Sequence, residues 1–100
     1  MFEMPKASYV NETQILQELA SDPNCRYIWT RHFLVEKMEE RQIWQADVEY
    51  ALINSHVELI ETNKKDILWH AIGHDVDGRR LTIVVAVYPD IPAIKVVTVF

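Results

Sequence analysis

The sequence predicts an α+β domain in which N-terminal helices pack on a four-stranded antiparallel meander sheet. Three observations predict it. Up to about Ile53, apolar residues recur at helical spacing. From Val57 the pattern changes to four runs rich in β-branched and aromatic residues. Short polar links join those runs, and short links make neighbouring strands antiparallel.

The first helix is expected over 11–20, NETQILQELA. Asn11 is placed as its N-cap, Gln14 completes a capping box, and Val10 with Ile15 would form a hydrophobic staple. Ile15, Leu16 and Leu19 make its apolar stripe. The SDPN stretch ends it, because a residue before proline disfavours helix. A second helix is expected from about Arg31 to Arg41, with Thr30 as N-cap. Leu34, Val35 and Met38 form its apolar face, and Phe33 points away from it. Gln42 to Trp44 is a tight connection. The third helix is expected over Gln45 to Ile53, with Val48, Ala51 and Leu52 facing the core and Asp47 suiting the dipole of the first turn.

The strands are VELIE, DILWHAIG, RLTIVVAVY and AIKVVTVF. Asn63 to Asp66 reads as a turn, and Pro89 to Pro92 separates the last two runs. Asp77-Gly78 signals a two-residue hairpin loop. That loop sets His70 opposite Val85 and Ile72 opposite Ile83. Leu68, His70, Ile72, Leu81, Ile83, Val85 and Val87 would then share the helix-covered face. Trp69, Ala71, Thr82, Val84, Ala86 and Tyr88 would share the half-open one.

One hundred residues, 49% hydrophobic and 25% charged, fit a single globular domain over 1–100. Residues 1–26 form an extension with one helix, and 27–100 form the core. Fifteen acidic residues against ten basic ones give a net charge of −5, without the overall basic footprint of proteins that grip phosphates. The single cysteine, Cys25, excludes an internal disulfide and suits a reducing compartment. No apolar run approaches the roughly 20 residues of a membrane span. The start MFEMPKASYV lacks the features of a signal peptide. A cytoplasmic chain with no membrane partner is expected.

Little metal or nucleophile chemistry is predicted. Of the four histidines, His70 and His74 are four apart, which on a strand is about 13 Å. No metal and no cofactor are expected. Arg26 beside Cys25 would favour its thiolate, but no base is assignable. Two glycines cannot build a phosphate loop. The residues left are His32, Arg41 and Tyr88, with Arg79, Arg80, Lys64 and Lys65. They suit RNA cleavage by the 2′-hydroxyl, which needs a base, a cation for the phosphorane charge and an acid. His32 would be base or acid, Arg41 and Tyr88 would stabilise or donate, and the other four would bind phosphates. Each has a structural use as well. His32 has Glu36 one turn on. Arg41 closes a helix C-terminus. Arg80 is placed to pair with Asp75 across the hairpin. Lys64 and Lys65 suit a solvated turn, and Tyr88 a strand end.

The segments TRHFLVEKMEERQIWQADVEYAL, VELIE, DGRRLTIVVAVY and KVVTVF together resemble a family of small bacterial domains of unknown function. The resemblance covers about Tyr27 to Phe100. That family is similar in turn to the RelE/BrnT-type toxins of toxin–antitoxin systems, and some members to partners of MqsA-type antitoxins. The resemblance implies a RelE/BrnT-like fold, RNA as substrate and an antitoxin as partner. It points to His32 and Arg41 first, and to Arg79 and Arg80 second. The chain departs from the family pattern at Gln42, where glycine is frequent, and at Trp44, where a Ser or Thr cap is frequent. The turn between these helices is therefore expected to differ.

Two functions follow as expectations. One is a toxin-like endoribonuclease acting on RNA. The other is a non-catalytic interaction module. The last run, AIKVVTVF, is apolar on both faces, and at a sheet edge it would pair with a second copy or an antitoxin segment.

Overall fold

The computed structural model describes residues 9–100. The first eight residues, most of the MFEMPKASYV start on which the absence of a signal peptide was expected, lie outside that range. Helix α1 (Val10–Ala20) precedes strand β1 (Arg26–Trp29). A π-helical segment, Phe33–Lys37, runs without a break into α2 (Met38–Arg41), and α3 (Gln45–Ile53) follows. Strands β2 (His56–Thr62), β3 (Ile67–His74), β4 (Arg80–Tyr88) and β5 (Ala93–Val99) complete the chain.

The architecture is α+β, but the sheet is five-stranded and mixed, not a four-stranded meander. Its order is β1-β5-β4-β3-β2, with β1 parallel to β5 and the other pairs antiparallel. The extra strand is RYIW, whose aromatic residues favour a pleated, half-buried surface. Tyr27 and Trp29 stack at 5.7 Å between ring centroids and pack against the core, and Trp29 meets Phe33. The parallel pairing is possible because two helices, the π segment with α2 and then α3, and three strands lie between β1 and β5, the long connection that parallel neighbours need.

Strand β5 is interior. It bonds β1 on one side and β4 on the other, so the free edge expected at AIKVVTVF does not exist there. An apolar run on both faces marks a central strand more directly than an edge. The edges are β1 and β2. Strand β2 carries the exposed charges Glu58 and Glu61 and a bulge between Val57 and Leu59, both usual protections of an edge.

The β3–β4 hairpin differs from expectation by one residue. His70 pairs with Val84 and Ile72 with Thr82, not with Val85 and Ile83. Asp75 and Arg79 close a three-residue loop, Val76-Asp77-Gly78. Gly78 N–H donates to the Asp75 carbonyl at 2.9 Å, and Gly78 takes φ +83°. This is a turn followed by a left-handed glycine. The Asp75 side chain selects it by accepting the backbone N–H groups of Asp77 and Arg79. The slip exchanges the faces of β3. Trp69 and Ala71 join Leu81, Ile83 and Val85 on the core side. Leu68, His70 and Ile72 join Thr82, Val84, Ala86 and Tyr88 on the other.

The helix faces also shift. Phe33, not Leu34 or Val35, enters the core: it is fully buried, whereas Leu34 and Val35 are exposed. The π segment explains the change. The Met38 N–H donates to the Phe33 carbonyl, five residues back, and this wider turn aligns residues five apart. Thr30 caps this helix as expected, its hydroxyl accepting the Phe33 N–H at 3.3 Å and donating to the Val97 carbonyl at 2.7 Å. In α1 the cap position is Tyr9, and Asn11 lies within the helix, so the Asn11–Gln14 box does not form. Helix α3 has the expected bounds and the expected core face of Val48, Ala51 and Leu52. The Asp47 carboxylate accepts the Trp44 N–H at 2.8 Å. This ties down the helix start, although the Trp44 indole has no acceptor to offer.

The core joins Leu16, Leu19, Phe33, Ile43 and the α3 face to Ala71, Leu81, Ile83, Val85, Ile94, Val96 and Val99. Helix α3 lies so close to β3 that a Cβ on Gly73 would collide with the Ala51 carbonyl oxygen.

Candidate functional site

The seven candidate residues do not form one group. Strand β3 separates its two turns by roughly 25 Å. Lys64 and Lys65 sit in the β2–β3 turn, and Tyr88, at the C-terminal end of β4, lies beside it. Arg79 and Arg80 sit in or next to the β3–β4 turn at the opposite end. Arg41 lies near them, since the Arg79 guanidinium reaches its carbonyl oxygen.

The lysine end is a concavity of about 430 Å³, lined by Thr30, Asn63, Lys64, Lys65, Asp66, Leu68, Lys95 and Val97. Asn63 builds its rim. Its side-chain oxygen accepts the N–H groups of Lys65 and Asp66, and its own N–H donates to the Asp66 carbonyl. The turn therefore holds Lys64 and Lys65 outward and directs Asp66 inward. Asp66 Oδ1 accepts a hydrogen bond from the Tyr88 hydroxyl at 3.2 Å, and Oδ2 lies 3.6 Å from Lys95 Nζ. Lys95 pairs in register with Ala86, and that small residue leaves room for its chain to cross the sheet face. Burial, then the Asp66 charge and hydrogen bond, push the Tyr88 pKa up, so Tyr88 is a phenol that donates.

The arginine end is built for structure. Arg79 Nε donates to Asp75 at 3.0 Å, and its two terminal nitrogens donate to the carbonyl oxygens of Arg41 at 3.1 Å and Gln42 at 3.2 Å. Asp47 lies 4.0 Å away. Arg79 thus satisfies carbonyls that the end of α2 leaves open, and its fork is occupied. It is Arg79, not Arg80, that pairs with Asp75. Arg80 stands opposite His74 and is exposed. Gln42 itself takes the left-handed conformation, φ 50° and ψ 47°, so the glycine-type turn forms without glycine.

His32 is half-exposed, and its Nδ1 lies 2.8 Å from Glu36 Oε2, the helix pair foreseen from spacing. No hydrogen bond among the described residues links it to Tyr88, the lysines or the arginines. Its nearest connection to the concavity is Thr30, two residues before it. His70 meets Glu61 at 2.7 Å on the outer sheet face. Among the described residues no three His, Cys, Asp or Glu are grouped to hold a metal. Burial and then the Asp22 charge raise the Cys25 pKa, against the activation that Arg26 suggested.

Sequence reasoning missed Lys95 and Asp66. Lys95 had a visible signal, as the only charge in a strand that is apolar apart from it and Thr98. Asp66 had none, because its contacts lie on β4 and β5.

No described helix is long and apolar enough to cross a membrane. No curated protein and no solved structure matches the chain. A family described as Domain of unknown function (DUF4258) matches residues 29–100, nearly the span over which the sequence resembled such a family. On that match, the chain belongs to the DUF4258 family of domains of unknown function.

Proposed function

We propose that the chain is an RNA-directed, toxin-like protein that holds its ligand in the lysine concavity. The observation that supports this is that Lys64, Lys65 and Lys95 all line one hollow of a chain whose net charge is −5. Local positive charge of this kind attracts a polyanion whatever the total. Tyr88 stands beside it as a neutral donor. If RNA is cut, His32 is the candidate base; it does not line the hollow itself but follows Thr30, which does, by two residues. Arg41 and Arg79 do not belong to this site, because they lie at the other end of β3.

The test is growth and protein synthesis in a bacterial host after induced expression. Arrest by the wild type that is relieved by Lys64→Ala with Lys65→Ala supports the reading, provided the variant is folded and equally abundant. Relief by His32→Ala adds the cleavage step. Continued growth with abundant, folded wild type counts against it.

A second reading, an interaction module for an antitoxin or a second copy, has a separate observation behind it. Ala46, Tyr50 and Ile53 repeat along the outer face of α3, exposed beside the exposed Trp44. A helix apolar on both sides is more often buried. Sedimentation velocity of the wild type and Tyr50→Glu tests this, a monomeric wild type removing the second-copy version.

A further inference from the structure

We infer that the concavity is a phosphate-group site in which the Asp66 carboxylate occupies the ligand's place until a phosphate displaces it. The inference rests on the RNA-directed reading and deepens it, naming Lys95 and Tyr88 as ligand contacts and Asp66 as their internal competitor.

The geometry is that of a bound anion. One oxygen of Asp66 faces a cation, Lys95 Nζ at 3.6 Å, and the other accepts from a neutral hydroxyl, Tyr88 Oη at 3.2 Å. A phosphate's non-bridging oxygens take the same two partner types. Lys64 and Lys65 line the same hollow and make no ion pair among the described residues. Asp66 pairs with Lys95, and the two exposed lysines of the same rim stay available to a larger anion. A half-buried lysine on the face of an interior strand needs a partner when nothing is bound. Asp66 supplies it and leaves the site net positive.

The energetics permit displacement. Lys95 and Asp66 are both partly exposed, and such pairs are weak, of the order of one hydrogen bond or less. A phosphate that meets Lys64 and Lys65 as well as Lys95 gains contacts that Asp66 cannot make. Tyr88 stays protonated, so its hydroxyl passes from the carboxylate to the ligand as a donor. Asp66 thus acts as a threshold, keeping lone weak anions out and admitting a phosphate held by several lysines.

The experiment measures binding of two probes to the full chain: a labelled single-stranded RNA oligonucleotide by fluorescence anisotropy, and inorganic pyrophosphate by calorimetry. The proteins are the wild type, Asp66→Asn, Lys95→Gln and the double variant Lys64→Gln with Lys65→Gln. Asp66→Asn removes the charge and keeps an acceptor for Tyr88. It should tighten binding about two- to fivefold, the scale of an exposed ion pair. Lys95→Gln should weaken it about tenfold, the scale of a charge-assisted hydrogen bond. Should Lys95→Gln fail to fold, Asp66→Asn alone decides.

RNA binding that depends on Lys64 and Lys65 but is unchanged or weaker in Asp66→Asn overturns the competitor while leaving the RNA reading standing. Pyrophosphate binding tightened by Asp66→Asn, with no RNA binding, supports the phosphate site and overturns the RNA reading. No binding of either probe by any of the proteins overturns both.

Discussion

The carboxylate of Asp75 holds Arg79 twice, accepting its backbone N–H at 2.8 Å and its Nε at 3.0 Å. Burial by itself would raise the Asp75 pKa, but the Arg79 N–H, its guanidinium and the Asp77 N–H together outweigh burial and hold it below the ordinary value. The folded state therefore favours the carboxylate, and the unfolded chain binds the proton first as pH falls. Stability from this group is full above the ordinary carboxylate pKa of about 4 and is lost as pH falls through the lower folded value. Urea midpoints between neutral pH and about pH 3 should show a steeper acid loss in the wild type than in Asp75→Asn. Equal slopes would remove Asp75 from the account.

Gly73 and Ala51 mark the closest approach of α3 to the sheet. A methyl group at Gly73 meets backbone, which cannot swing aside as a side chain can. Gly73→Ala should cost about 3 kcal/mol or prevent folding, the upper range for overpacking. At Gly78 nothing lies within 4 Å of an added Cβ, and only the left-handed φ of +83° resists it. Gly78→Ala should cost about 1–2 kcal/mol. Denaturation of the two variants side by side separates steric from conformational cost, and a reversed order would contradict the packing described.

Phe33 and Leu34 test the π segment. With Phe33 buried and Leu34 exposed, Phe33→Ala should cost about 3–5 kcal/mol and Leu34→Ala under about 1 kcal/mol. An ordinary α-helix with the face Leu34, Val35 and Met38 would give the opposite ranking, so chemical denaturation of both variants decides the helical phase.

Gln42 sits in a conformation that side chains resist, with φ 50°. Gln42→Gly removes that resistance but loosens the unfolded chain, so the net gain should be modest, about 0.5–1 kcal/mol. A rise in thermal midpoint with unchanged circular dichroism is the expected result. A fall would mean that the Gln42 side chain contributes contacts that outweigh its backbone cost.

Local pattern was enough for much of the fold. Helical spacing located α1 and the bounds and core face of α3, and β-rich runs located β2 to β5, because each signal lies within a dozen residues of chain. The Thr30 cap and the His32–Glu36 pair were legible for the same reason, since both contacts are made within one turn. The register of one hairpin was not, because the Asp75 side chain, and not the Asp-Gly pair alone, chose the loop length. The phase of the second helix was hidden by a π turn, which breaks the spacing that the pattern assumes.

The tertiary structure decided the rest. Tyr27 lies beside Ile94 across most of the chain, and no local spacing announces such a partner. That one pairing turns β5 from a possible edge into an interior strand. The separation of candidates has the same cause. Arg79 and Lys65 are near in sequence but stand at opposite ends of a strand, whereas Asp66, Tyr88 and Lys95 come together from three elements. Residue types and short-range order are properties of the sequence alone. Strand order, and therefore which charges share a hollow, depends on long-range pairing that only the folded chain expresses.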